Sequence, residues 1–176
     1  MRSLLLSFAL CFLLSCSSVK PTDYQATLPK LELEQFFNGK LMAYGLVLNR
    51  QGALKRRFSA TIDANWQDGQ GILDENFVFD DGEQQQRIWT IKKQADGRYQ
   101  GSANDVVGIA EGQTSGSVMH WRYQLMITVD GEPLEVTLDD WLYLLDNKRL
   151  MNKSDILKFG IKVGELVLFI EKIDDL

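Results

Sequence analysis

The feature that most constrains this chain is the alternation of apolar and polar residues in segments after position 38. In FSATIDANW (58–66) the apolar side chains take the even positions and the polar ones the odd positions. Between 119 and 129, Met119, Trp121, Tyr123, Leu125, Ile127 and Val129 share one parity, while His120, Arg122, Gln124 and Thr128 share the other. A helix would scatter these residues around its circumference, whereas a half-buried strand separates them onto two faces. Turn signals punctuate the segments: NRQG (49–52), QDGQG (67–71), DDGE (80–83), ADG (95–97) and VDGE (129–132). Asp-Gly suits tight hairpin turns because both residues tolerate positive φ. Roughly nine or ten strands result. Their short connections join sequential neighbours, and closing the sheet removes its edges. The expected fold is therefore all-β, an antiparallel up-and-down barrel of about 8–10 strands. One or two short helices accompany it, at LELEQFF (31–37) and at SDILKF (154–159), the second capped by Ser154 or Asp155 and stopped by Gly160. A barrel of this size is either filled by side chains or holds one small ligand.

The N-terminus constrains compartment rather than fold. Arg2 precedes an apolar run, Leu4 to Leu14, that is about half the 20 residues a membrane-spanning helix needs. A positive start, a short apolar core and a small-residue end are the parts of a secretory signal. The end reads Leu13-Leu14-Ser15-Cys16, which resembles the lipobox of bacterial lipoproteins. That resemblance implies a thioether-linked diacylglycerol on Cys16 and an acyl chain, such as palmitate, on its new α-amine. It makes residues 1–15 a signal peptide, 16–35 a lipidated cysteine with its tether, and 36–176 the barrel domain. Ser17 after the cysteine resembles cargo sent to the outer membrane, so the expected site is its inner leaflet, facing the periplasm.

Cysteine usage agrees, because the two cysteines are Cys11 and Cys16. Cleavage removes one and lipid consumes the other, so the mature chain has no disulfide framework. Losing Arg2 leaves 18 basic against 24 acidic side chains, a net charge of −6. That balance is wrong for nucleic acid, which requires a basic stripe. The expected partners are the membrane, through the N-terminal lipid anchor, and an acyl lipid or other apolar ligand.

Joined motifs carry a family resemblance. FNGKLMAYGLVLNRQG, FVFDDGEQQQRIW, YQGSANDVVGIAEGQTSG, HWRYQL and DDWLYLLDNKRLMNKSDILKFG together resemble DUF3833, a bacterial family of small lipoproteins of unknown function. The resemblance spans nearly all of residues 36–173 and implies a lipocalin-like (calycin-like) barrel. It supplies no catalytic residue.

Chemistry is sparse. One histidine and no free cysteine argue against a metal site, and no motif calls for a cofactor. No G-x-S-x-G elbow or P-loop is present. His120 falls on the polar face of its strand, and GIAEGQTSG (108–116) reads as a turn or bulge. The charges that break apolar faces are more informative. Glu75 shares a parity with Leu73, Phe77 and Phe79, and Arg87 shares one with Trp89 and Ile91. A buried charge without a partner is costly, so these two should meet each other, another partner, or water in a cavity. Asp140 follows Leu134, Val136 and Leu138 on one face. Either a carboxylate faces the core, or a bulge turns Trp141 inward, and the bulge is the favoured reading. The candidate ligand-binding set is Glu75, Arg87, Trp89, Trp121, Tyr123, Asp140 and Trp141, with Cys16 for lipid attachment. The function these features favour is a membrane-anchored barrel that binds or transfers a small apolar ligand, without catalysis. The competing readings are a carboxylate-dependent enzyme acting on lipid-like substrates and an accessory envelope subunit with a filled barrel.

Overall fold

The computed structural model describes residues 18–129 and 131–173, so the proposed signal peptide and Cys16 lie outside the described residues. Ten antiparallel strands form one closed barrel. They are β1 (Gly39–Asn49), β2 (Leu54–Gln67), β3 (Gln70–Phe79), β4 (Gln84–Lys93), β5 (Arg98–Ser102), β6 (Val106–Ser115), β7 (Val118–Val129), β8 (Glu132–Leu144), β9 (Arg149–Lys158) and β10 (Ile161–Lys172). Each pairs with its neighbours in the chain, and β10 closes onto β1 with Leu41 opposite Lys172 and Asn49 opposite Gly164. The alternation read in 58–66 and 119–129 becomes the inner and outer faces of β2 and β7. Residues 108–115 of the GIAEGQTSG segment lie within β6, whose register against β7 shifts between Val107 and Glu111, and Gly116 begins the β6–β7 turn.

One expected helix is absent. Residues 154–158 belong to β9, with Ser154 opposite Asp140 and Ile156 opposite Leu138. Two polar residues on the inner face, Asn152 and Ser154, are buried, and they hid the period-two pattern. Gly160 stops no helix. With Phe159 it forms a positive-φ hairpin turn, the two φ values being 51° and 78°.

The other expected helix, α1 (Leu33–Phe36), closes one end of the barrel. Leu31, Leu33, Phe36 and Phe37 are each less than 7 % exposed and join the core cluster of Leu41, Ala60, Ile62, Leu73, Tyr99 and Leu150. Glu34 fastens this plug to the wall by accepting a hydrogen bond from the Tyr99 hydroxyl (2.8 Å) and pairing with Lys93. Among the described residues of the segment expected as tether, parts pack on the barrel. A 3-10 turn at Pro21–Tyr24 leads to Thr27, whose Oγ1 accepts from the Ser117 amide at 2.8 Å, and the Leu31 amide donates to the Gly116 carbonyl at 2.8 Å. Gly116 is required here, because a Cβ would lie 1.9 Å from the Tyr24 carbonyl oxygen.

At the opposite end the described connections include the short turns 50–53, 80–83, 103–105 and 159–160. Among the described residues no segment crosses that end. Its lip exposes Leu54, Ile161 and Phe159, the last 90 % exposed.

Candidate functional site

The space inside the barrel begins at the plug and runs toward the uncovered end. It is a cavity of about 130 Å³, lined by Leu33 and Phe37 from the plug and by strand residues that include Phe58, Trp89, Trp121, Leu142 and Leu168. Close approach of backbone shapes its walls. A Cβ on Gly112 would lie 2.2 Å from the Trp121 ring and one on Gly45 2.1 Å from the Phe58 ring, so these glycines let the aromatic side chains lie flat against the sheet. Trp89 meets Trp121 edge-on at 5.9 Å between centroids and Tyr123 at 5.2 Å. Trp66 also faces inward, nearer the plug, against Tyr99.

Polar groups interrupt this apolar lining in one cluster. Glu75 on β3 and Arg87 on β4 are direct cross-strand partners, with Nη1 3.8 Å from Oε2. The stronger partner of Arg87 is Asp105 in the β5–β6 turn, which accepts from Nε at 2.9 Å and from Nη2 at 2.7 Å. This paired fork is the geometry in which a guanidinium binds a carboxylate best. Burial works against the charge on Arg87, but the Asp105 hydrogen bonds hold its pKa above the ordinary value. No periodicity could have revealed Asp105, because it sits in a turn and reaches Arg87 only across the closed sheet.

Asp140 faces the interior, and its side chain is 7 % exposed. The β7–β8 register is unbroken through this point, with Trp121 opposite Asp140 and His120 opposite Trp141. The favoured bulge is therefore absent, and Trp141 does not line the cavity. It points outward, where His120 stacks on it at 4.5 Å and Tyr24 packs at 6.0 Å. The Tyr123 and Ser154 hydroxyls lie beside Asp140, and Ser154 Oγ donates to Asn152 Oδ1 at 3.0 Å. The Oδ1 of Asp140 has no partner. Ser154 reads from sequence as a helix N-cap and Asn152 interrupts no recognisable apolar face, so neither stands out as a site residue.

These surroundings move the carboxyl pKa values in one direction. Burial drives Glu75 from 4.5 up to about 7, against the pull of Arg87, with Asp105 and Asp140 adding to the rise. Burial also drives Asp140 from 3.8 up to about 7, against the opposing pull of the nearby Ser154 and Tyr123 hydroxyls and of Arg87. Tyr123 is raised well above its ordinary value by burial and by the neighbouring Asp140. Of the sequence-predicted candidates, Glu75, Arg87, Trp89, Trp121, Tyr123 and Asp140 thus converge on one cavity. Among the described residues no group of three or more His, Cys, Asp or Glu side chains is placed to hold a metal ion.

A closed ten-stranded barrel with a polar cluster in an apolar interior defines a calycin-like class of fold. The model of the family described as "Protein of unknown function (DUF3833)" matches residues 10–172, and the chain belongs to that family. Among solved structures it is similar to an S-type phycobiliprotein lyase, CPES, from Guillardia theta. That likeness has a TM-score of 0.58 at 11 % identity and covers 83 % of this chain and 94 % of the lyase. At that identity the likeness shows the fold alone. A comparison with curated proteins finds no match.

Proposed function

We propose that this protein binds a small, largely apolar ligand inside its barrel and is held at a membrane by lipid on Cys16. The observation that carries the binding reading is the cavity itself. A single water needs roughly 10–15 Å³ of such volume, so about 130 Å³ exceeds what a few trapped waters occupy. Ligand pockets pair an apolar lining with a few placed polar groups, and the wall of Trp89, Trp121 and Phe58 around Glu75, Arg87 and Asp140 has that composition. The volume also limits the occupant. It falls below the roughly 300–1,000 Å³ of drug-sized pockets, so either the ligand is small or only one end of it enters. An acyl lipid fits the second case, with the rest of its chain outside the lip. The lipobox at 13–16 supports the anchor.

Native mass spectrometry of the protein purified from its own host tests both parts of this reading. A co-purifying small molecule that is lost on Trp121→Arg substitution, together with the mass of a diacylglyceryl group on Cys16, is the expected result. An unmodified Cys16 overturns the anchor. A barrel that carries nothing and takes up no apolar probe overturns the binding reading.

One observation favours a second reading, in which the cavity performs acid–base chemistry. Glu75 and Asp140 both titrate at about 7, where a carboxyl serves as donor or acceptor at neutral pH. Glu75→Gln and Asp140→Asn separate the two readings. Loss of substrate turnover with binding retained identifies an enzyme.

A further inference from the structure

The polar cluster specifies more than the presence of a ligand. Arg87 is the sole basic residue among those lining the cavity, and its capacity is largely committed. Nε and Nη2 donate to Asp105, and Nη1 faces Glu75 at 3.8 Å. Acceptors, by contrast, are in surplus. Asp140 is 93 % buried by its 7 % exposure, lines the cavity, and has an Oδ1 with no partner. Glu75 is also on the wall, its side chain 15 % exposed, without a direct hydrogen bond from Arg87. The other polar groups are occupied with one another. Asn152 accepts from Ser154 and donates to the Trp141 carbonyl, and the Tyr123 hydroxyl lies beside Asp140. When ionised, Glu75, Asp105 and Asp140 outnumber Arg87 by two charges. A second anion entering here would meet net negative charge and few uncommitted donors, whereas a donor or cation would satisfy a buried carboxylate that lacks a partner.

Resting on the cavity reading above, we infer that the ligand carries a hydrogen-bond-donating polar end, an amine or a hydroxyl, which docks on Asp140 and Glu75, and that the site rejects free carboxylates. The apolar body then lies against Trp89 and Trp121. This excludes the simplest occupant of an apolar barrel, a free fatty acid held by its carboxylate on the interior arginine, because Asp105 already fills that place.

Matched single-ring probes test the inference. An apolar cavity of about 150 Å³ accommodates benzene, so benzylamine, benzyl alcohol and benzoate suit the size of this one. Binding to the full-length chain in detergent is read by ligand-observed NMR and by tryptophan fluorescence, at pH 8 and pH 5.5, in the parent and in Asp140→Asn. The groups facing Asp140 are Glu75 from β3, Arg87 from β4, Tyr123 from β7 and Ser154 from β9, with Asp105 beyond Arg87. At pH 8, benzylamine should bind at least tenfold more tightly than benzoate, with benzyl alcohol between them. Its advantage should shrink at pH 5.5, where the carboxyls are neutral, and Asp140→Asn should weaken benzylamine about tenfold while leaving benzyl alcohol within about threefold. Benzoate binding as tightly as benzylamine, or benzylamine indifferent to Asp140→Asn, overturns the donor-end inference and leaves the cavity reading intact. Failure of all three probes to bind overturns the cavity reading and the inference with it.

Discussion

Asp139 and Asp140 are adjacent in β8 and lead opposite lives. Asp139 points outward, accepts from Arg122 Nη1, and lies 2.7 Å from His120 Nε2. Asp140 points into the barrel, and one of its oxygens has no partner. The same side chain one residue apart is thus a half-buried, fully partnered group on the outer face and a buried group with its pKa raised to about 7 on the inner one. The difference comes from the strand's period of two and from the absence of a bulge. It teaches that charge in this wall is cheap outside, where water screens it, and costly inside, where only Arg87 and a few hydroxyl groups compensate it.

The sharpest way to break this comparison is to remove the interior cation. Arg87→Met leaves Asp105 and Glu75 without their partner, and breaking a buried pair costs about 3–5 kcal/mol. Urea denaturation at pH 8 should show a loss of that order. The loss should shrink toward pH 5, where Glu75 is neutral. A loss below 1 kcal/mol at pH 8 would show that the interior tolerates unpaired charge.

The next effect has the opposite sign. Glu75 and Asp140 have folded pKa values above their unfolded ones, so their contribution to stability is complete below about pH 4. It is lost as pH rises through about 7. Asp140→Asn keeps the shape without the charge. It should therefore be more stable than the parent at pH 8, by about 4 kcal/mol, and nearly equal to it near pH 4. Equal stability at both pH values would mean that Asp140 is not taken up as a costly anion.

The smallest effect is on the outer face. Asp139→Asn removes a surface pair whose arginine is 54 % exposed, and such pairs contribute at most about 1 kcal/mol. The cost should fall in 1 M salt. A larger, salt-insensitive loss would place Asp139 in a buried network and erase the contrast with Asp140.

Much of the fold was legible beforehand for a physical reason. Where a strand is apolar on one face and polar on the other, as in 58–66 and 119–129, its period shows directly in the residues. Glu75 and Arg87 stood out because each interrupts an apolar face, and the structure does place them side by side. Legibility failed where inward positions are polar. Ser154 and Asp155 as cap candidates, with Gly160 as a stop, made 154–159 look helical, and Asp140 made β8 look bulged. It failed again for Tyr24 and Leu31, since the fate of a polar, proline-bearing segment depends on what surface it meets. Here that surface is the β6–β7 turn and the outer face of Trp141.

The sequence by itself determined the β class, the sequential pairing, the turns and the pair of charges that must be reconciled inside, because local periodicity and turn chemistry set these. Only the tertiary structure decided that Thr27 and Leu31 pack on the β6–β7 turn, that Asp105 claims Arg87, and that Asp140 faces inward while Trp141 faces out. Those outcomes depend on contacts between residues far apart in the chain. Their energies come from burial and partner geometry, which no local pattern encodes.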